Sequence, residues 1–214
     1  MMRKWDGERM AIGDGDGDGQ IFNRFTVSLS VIGRELNHGV TQFTANLTDH
    51  GQSGALDESI SDVFGALIAQ NAKGLSTSEA SWLIGEGFFT DQVKGTALRS
   101  MKASGTAFND DVLGKAPQPA SMAGYGETAD DNGGVHLNSG IPDRTFSLVA
   151  DAVGGNAWEM QGRIWCNSLT GSALNPQSDF AACAAATAAS AARLYGHGSP
   201  AHNAVLQAFR ARLS

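Results

Sequence analysis

The chain lacks the features that mark several classes of protein. No apolar run approaches the ~20 residues that a membrane-spanning helix needs. Lys and Arg number 15 against 22 Asp and Glu, without a basic cluster. The net charge of −7 therefore argues against a general surface for nucleic acid or an anionic membrane. The first residues are basic but no apolar core follows them, so we expect no secretory signal there. The charge and the lack of a long apolar run lead us to expect no membrane or nucleic-acid partner.

Cysteine is also scarce, since the 214 residues contain only two. Cys166 and Cys183 lie in helix-like sequence and form neither a disulfide framework nor a C-x-x-C metal site. A disulfide between them is one interpretation of this pair. We favour the other, which is two buried free thiols.

What the chain does contain predicts one mainly α domain with little strand. Its length is enough for a full hydrophobic core, and 42% hydrophobic residues is ordinary for a globular protein. Residues 74–134 are rich in Gly, Ser, Asp and Pro and look like a long connecting region. Apolar periodicity predicts long helices at 26–45, 53–73, 138–153, 156–170, 177–195 and 200–212, and short ones near 78–84 and 92–101.

Local signals place the ends of the first two helices. Thr26 or Ser28 can cap the first helix, and Ser53 is a plausible N-cap for the second. Gly74 is a suitable stop for the second helix. The apolar stripe of the first helix consists of Leu29, Ile32, Leu36 and Val40.

Residues 13–19 alternate Gly and Asp in the way that opens an EF-hand calcium loop. The twelfth position from Asp14 is Phe25, where such a loop requires a bidentate Glu. We therefore prefer a Gly/Asp turn between strands.

Residues 34–38 have the shape of the zinc-peptidase helix motif H-E-x-x-H. In the intact motif, two His four residues apart hold zinc, and the Glu polarises the metal-bound water. Glu35 and His38 are present, but Arg34 stands where the first His should be. Taken alone, a Glu and a His on one helix are more often a solvated pair, so the interpretation depends on the rest of the chain.

Three further blocks follow in order, at residues 54–65 (GALDESISDVFG), 97–101 (ALRSM) and 131–140 (DNGGVHLNSG). Together with residues 39–42 (GVTQ), they closely resemble the thermolysin family of zinc metallopeptidases. The resemblance runs from about Trp5 to the C-terminus. It implies a thermolysin-like C-terminal helical domain at 26–214, preceded at 1–25 by a small loop and strand remnant of an N-terminal β-rich half.

The resemblance implies which residues would hold the metal. His38 and Glu58 would be zinc ligands, and Glu35 would be the general base that activates water. Asp62, one helical turn beyond Glu58, would orient the ligand at the position that Arg34 occupies. Such a site would hydrolyse peptide bonds in a peptide or protein substrate.

The resemblance also implies which residues would assist the reaction. His136 would stabilise the oxyanion of the tetrahedral intermediate, and Asp131 would fix its ring. Arg99 would bind the substrate carbonyl beyond the scissile bond, although a purely structural ion pair is the alternative.

Arg34 departs from the family pattern at a metal ligand. A guanidinium stays protonated and has no free lone pair, so it cannot ligate zinc. We expect it to lie near Glu35, Glu58 and Asp62, to replace zinc electrostatically and to leave zinc binding weak or absent. Peptide hydrolysis would then be impaired, and the alternative function is a non-catalytic pseudopeptidase that binds peptide or a protein partner.

Further departures lie around the site. The family's cleft-wall motif Asn-Ala-Phe-Trp appears as Met2-Arg3-Lys4-Trp5, and Asp49 stands where the family carries a Tyr. The apolar face of helix 26–45 would be partly bare without the N-terminal half, which favours self-association or a partner. Family members are commonly secreted. We expect no calcium, because only one of the five positions that bind it in larger members is acidic here. These positions are Ser30, Ala69, Ser81, Leu83 and Glu86, and the acidic one is Glu86.

Overall fold

A computed structural model of the chain describes residues 3–5, 7–13 and 19–213 and confirms a mainly α fold. Three two-stranded antiparallel sheets are short: β1 (Arg3–Trp5) with β2 (Met10–Ile12), β3 (Leu83–Ile84) with β4 (Arg99–Ser100), and β5 (Asn109–Asp110) with β6 (Gly114–Lys115). The α-helices in the described residues are α1 (Leu29–Gln42), α2 (Gly51–Lys73), α3 (Asp131–Asn138), α4 (Gly140–Val153), α5 (Met160–Thr170), α6 (Phe180–Tyr195) and α7 (Pro200–Leu213).

Within the described residues, no helix combines the length and the apolar character that crossing a membrane would require.

Helix α2 runs through the main core. Its buried side chains include Leu56, Ile60 and Val63, which belong to one cluster with residues from α4 to α7. Aromatic rings close the far side of this cluster: Trp165 lies edge-on to Phe146, with ring centres 4.8 Å apart. Burial of each large apolar side chain contributes about 1.5–3 kcal/mol, so this cluster supplies most of the hydrophobic stabilisation.

Helices α1 and α2 cross closely because glycine stands at the crossing. A Cβ atom on Gly65 would lie 2.2 Å from the Ser30 carbonyl oxygen, and one on Gly33 would lie 2.9 Å from Ile68 Cδ1. The two backbones can approach only where these side chains are missing. This approach brings the polar residues of α1 within reach of the carboxylates of α2.

Helix α1 buries a polar face and exposes an apolar one. Arg34 and Glu35 are each 3% exposed, whereas Leu36 is 49% and Val40 47% exposed. The apolar stripe predicted from the sequence therefore lies mainly on the outer side of the helix. Hydrophobic burial contributes little to holding α1 in place, so its polar contacts matter more than usual.

The predicted helix ends are partly confirmed. Helix α1 begins at Leu29, since Ser28 is extended and takes the N-cap position. Gly74 ends α2 in the left-handed conformation at φ 66°, as predicted. Ser53 is not the N-cap of α2: His50 holds that position, and the Ser53 hydroxyl instead donates to the Pro176 carbonyl oxygen at 2.6 Å.

The short helices predicted near 78–84 and 92–101 are wrong. Leu83 pairs with Ser100 and Ile84 with Arg99 in an antiparallel ladder between these segments. Trp82, just before β3, has a φ of 57°, which a helix does not allow. Pairing between distant segments has overridden the local helical pattern.

The later helices agree with the sequence except at their starts. Helices α5 and α6 begin at Met160 and Phe180, a few residues later than predicted, and Asp179 caps α6 by accepting from the Ala182 amide at 2.7 Å. Helix α3 was not predicted. Both cysteines are free thiols as expected, but Cys166 is exposed and only Cys183 is buried.

Two sequence interpretations concern residues that the structure does not cover. Residues 14–18 of the Gly/Asp stretch and Met2 of the cleft-wall motif lie outside the described residues. The turn, its calcium-loop alternative and the division at residue 25 stay predictions.

Candidate active site

One cleft, with a volume of about 840 Å³, gathers most of the residues that the sequence singled out. Two helices, a strand and the loop-like start of α3 supply them, so the cleft lies where these elements meet. Asp62 is fully buried beneath the cleft surface. The predicted residues that line the cleft are Glu35, His38, Glu58, Arg99, Asp131 and His136, together with Arg34 and Asp49.

Helical spacing explains why the charged groups meet. Arg34 and His38 lie four residues apart on α1, as do Glu58 and Asp62 on α2, so each pair shares one face of its helix. These faces oppose each other beside the glycine crossing.

Arg34 reaches all three carboxylates that the sequence placed near it. Its Nη1 lies 2.5 Å from Glu35 Oε1, and its Nη2 donates to Glu58 Oε2. Its Nε lies 2.9 Å from Asp62 Oδ1, a charge contact without the alignment of a hydrogen bond. Burial alone would lower the pKa of Arg34, but the charges of Glu58, Asp62 and Glu35 raise that pKa above its ordinary value. The guanidinium is therefore a fixed cation among these three carboxylates.

Asp62 is shared between two arginines. Arg99 grips it with two hydrogen bonds, from Nε to Oδ2 at 2.5 Å and from Nη2 to Oδ1 at 2.7 Å. Burial would raise the pKa of Asp62, but the adjacent Arg99 outweighs burial and lowers it. Arg99 thus forms a structural ion pair. It also lines the cleft, where a residue that binds a substrate carbonyl would have to lie.

His136 is held in place by Asp131. Its Nδ1 lies 2.7 Å from Asp131 Oδ1, and its backbone amide donates to Asp131 Oδ2 at 2.8 Å. Residues 131–134 all have positive φ, which Gly133 and Gly134 adopt without strain, and this tight turn brings Asp131 back to the ring. His136 Nε2 lies 3.2 Å from Glu58 Oε2.

Glu58 therefore lies between two cationic or hydrogen-bonding groups. Burial would raise the pKa of Glu58, but Arg34 first and His136 second lower it below the ordinary range. This carboxylate is held ionised by side chains of the protein itself.

His38 turns its Nδ1 towards α2 and has a partner that sequence reasoning missed. That nitrogen lies 2.9 Å from Asp57 Oδ2 and 3.3 Å from Ser61 Oγ. Burial would lower the pKa of His38, but the hydrogen bond with Asp57 and the charges of Asp57 and Glu58 together raise it. Asp57 and Ser61 each precede a predicted site residue of α2 by one position, but neighbouring positions on a helix point in different directions, so spacing gave no signal for this contact.

A second missed residue is Asp143 on α4, which is 2% exposed. Burial, with the charge of Asp62 second, raises the pKa of Asp143 well above its ordinary value. Burial and the neighbouring Asp62 thus both disfavour the ionised form of Asp143.

Asp49, at the position of the family's Tyr, lies at the rim of the cleft. Its Oδ2 accepts a hydrogen bond of 2.8 Å from Asn132 Nδ2.

The five positions aligned with calcium ligands also meet in one place. Ser30, Ala69, Ser81, Leu83 and Glu86 all line a second pocket of about 320 Å³ between α1, α2 and β3. The five positions that the resemblance matches to calcium ligands therefore lie close together in the fold. Among these five, Glu86 alone carries a charge, a poor match to the several oxygen ligands that calcium takes.

The donor set of the cleft does not fit a zinc ion. Zinc binds nitrogen and carboxylate oxygen at about 2.0–2.2 Å, and a guanidinium offers it no lone pair. Arg34 fills the corner where a third donor is needed and contacts the carboxylates of Glu58 and Asp62 there. Across the part of the chain that the structure describes, no three His, Cys, Asp or Glu side chains are placed to hold a metal.

The chain matches two models of one known protein family, which together cover most of its length. Residues 45–212 match the family model described as "Thermolysin metallopeptidase, alpha-helical domain", and residues 4–42 match "Thermolysin metallopeptidase, catalytic domain". The chain belongs to the thermolysin metallopeptidase family. This family depends on zinc, so Arg34 stands out against the relatives' chemistry.

Individual relatives are close in sequence and structure. An extracellular metalloprotease of Pectobacterium carotovorum subsp. carotovorum is 49% identical over 193 residues, which are 90% of this chain and 55% of that protein. Thermolysin of Alicyclobacillus acidocaldarius is 37% identical over 97% of this chain and 36% of its own length. The precursor of protealysin, a metalloproteinase of Serratia proteamaculans, superimposes with a TM-score of 0.94 at 49% identity, covering 98% of this chain and 64% of that one. The chain thus spans less than two thirds of each of these relatives.

Proposed function

We propose that this chain is a thermolysin-like peptidase domain in which hydrolysis of peptide bonds is impaired because Arg34 replaces a zinc ligand. The observation that carries the proposal is the contact of one buried guanidinium with Glu35, Glu58 and Asp62. A bound metal would need the same carboxylates and the same space. The fixed cation and a zinc ion therefore exclude each other.

The groups left in the cleft do not replace the metal chemically. Glu35, the residue proposed as general base, is 3% exposed and paired with a cation 2.5 Å away. That contact engages Oε1 with the guanidinium, so this oxygen is not free to bind a water molecule. His136 and Arg99 could still polarise a carbonyl group, but a water molecule near them has no metal to lower its pKa.

A second candidate is peptide binding without cleavage, and the preserved cleft favours it. The cleft keeps apolar side chains, among them Leu98, Phe108 and Leu137, beside polar groups such as Gln118 and Asn132. Apolar walls with a few polar groups are typical of ligand sites. Family members act on peptides and proteins, so we propose a peptide or a segment of a protein as the ligand.

The two candidates share one test on the unmodified chain. We expect fluorescence anisotropy to show binding of labelled peptides, while hydrolysis of quenched fluorescent peptides is at least about 1,000-fold slower than with the Pectobacterium metalloprotease, because a metal supplies several kcal/mol of transition-state stabilisation. Hydrolysis at a similar rate that stops on addition of EDTA would contradict impairment. Absence of any peptide binding would remove the second candidate.

We further propose that the outer face of α1 mediates association with a second copy of the chain. Leu36, Val40 and Phe43 are 49%, 47% and 74% exposed, and their spacing of four and three residues places them on one side of the helix. Leu29, 39% exposed, extends this stripe by two turns. Contiguous exposed apolar surface favours association.

The double variant Val40→Ser and Phe43→Ser is expected to weaken this association. Sedimentation velocity over a range of protein concentrations should show the unmodified chain shifting to larger species and the variant remaining nearer the monomer. Val112→Ser is the matched control, because Val112 is 79% exposed but lies in the hairpin between β5 and β6. A monomeric unmodified chain at all concentrations would disprove self-association.

A further inference from the structure

Helix α1 has few apolar contacts to hold it against the domain. Its buried residues are mostly small or polar, and Val31 is the one large apolar side chain among them. Its apolar side chains at positions 36 and 40 face outward. The close glycine crossing removes steric hindrance but supplies little attraction. Polar contacts must therefore account for much of the stability of the α1–α2 pair.

Arg34 supplies the most deeply buried charged link between these helices, beside the contacts of Asn37 and His38 with α2. From α1 it contacts Glu58 and Asp62, which lie one turn apart on α2. Asp62 continues the network to Arg99 on β4. Glu58 continues it to His136 on α3. One guanidinium thus stands at the centre of ion pairs and hydrogen bonds that join four elements around the cleft.

The charges of this cluster make the guanidinium necessary. Glu35, Glu58 and Asp62 are all buried, and without Arg34 the cationic or hydrogen-bonding groups beside them are Arg99, His38 and His136. Like charges repel strongly in a medium of low dielectric constant, and an unpaired buried charge destabilises the folded state. In a zinc protein the metal would supply this positive charge.

We propose that Arg34 is a built-in structural cation that holds α1 to α2 and makes the stability of this domain independent of metal. This inference rests on the proposed function, in which zinc does not occupy the cleft. It goes beyond that function because it assigns Arg34 a stabilising role, whereas loss of activity would require only that a ligand be absent.

Equilibrium unfolding in urea tests the inference on the whole chain. The unmodified protein is expected to unfold at the same midpoint with EDTA and with added zinc chloride. Arg34→Met keeps an unbranched side chain but removes the charge, and it should raise the equilibrium constant of unfolding by at least about 100-fold. Arg34→Lys keeps the charge without the planar fork and should have a smaller effect. Arg163→Met is the control on the exposed surface of α5 and should change the constant less than about threefold.

The outcomes separate this inference from the proposed function. If Arg34→Met is as stable as Arg163→Met, Arg34 is not a structural cation, while impaired hydrolysis stands. If zinc raises the midpoint of the unmodified chain, zinc binds there and both ideas fail. If Arg34→Met does not fold at all, Arg34→Lys decides: a folded Arg34→Lys supports the inference, because a cation alone restores the fold, and an Arg34→Lys that does not fold either overturns it.

Discussion

Arg34→His is expected to hold about one zinc ion per molecule, whereas the unmodified chain is expected to hold little or none. The new imidazole would stand four residues before His38 on the same face of α1, opposite Glu58 on α2. Asp62, freed from the Arg34 contact, could accept a hydrogen bond from its second nitrogen. The substitution removes the competing cation and adds a donor in one step, so the effect should be large.

Metal analysis after dialysis against a zinc buffer measures this effect. Arg34→Gln is the matched control, because it removes the guanidinium without adding a strong zinc ligand. The double variant Arg34→His with Glu58→Gln should lose most of the zinc that the single variant gains. If Arg34→His holds no more zinc than Arg34→Gln, the guanidinium is not what keeps zinc out, and the portion of the relatives' length that this chain does not span is needed instead.

Asp62→Ala is expected to destabilise the fold by about 3–5 kcal/mol. Asp62 is fully buried and is the shared counter-ion of Arg34 and Arg99. Its removal leaves the Arg99 guanidinium, 7% exposed, without the two hydrogen bonds that it makes to the carboxylate. Water cannot easily replace them at this depth, so the cost is that of an unpaired buried charge.

The control for this prediction is a second aspartate that pairs with a cation at the surface. Asp151 Oδ1 lies 2.7 Å from Lys102 Nζ, with both side chains about one third or more exposed. Exposed pairs of this kind contribute about 0–1 kcal/mol, so Asp151→Ala should change stability by less than about 1 kcal/mol. Equal unfolding midpoints for the two variants would show that the buried cluster does not stabilise the domain.

The long helices were predictable because local signals and packing agree there. In α2, the apolar period of Leu56, Ile60 and Val63 matches the buried face, and Gly74 supplies the left-handed residue that ends it. The strands β3 and β4 were not predictable, since their pairing depends on segments about 15 residues apart that carry no strong strand pattern.

The site was predictable as far as the family motifs reach. Those motifs place Glu35, His38, Glu58 and His136 in one cleft, and the structure brings them together. Spacing alone could not show that Asp57 is the partner of His38, because that contact depends on the rotation of α2 about its axis. Nor could periodicity tell which face of α1 is buried, because an apolar stripe marks a surface to be covered without identifying what covers it.

The most direct test of the central claim is the zinc content of the unmodified chain. After equilibrium dialysis against micromolar free zinc, the chain is predicted to hold no more metal than Arg34→Gln and to lose none on addition of a chelator. About one zinc ion per chain, lost again in a Glu58→Gln variant, would show that a metal binds despite Arg34 and would contradict the account.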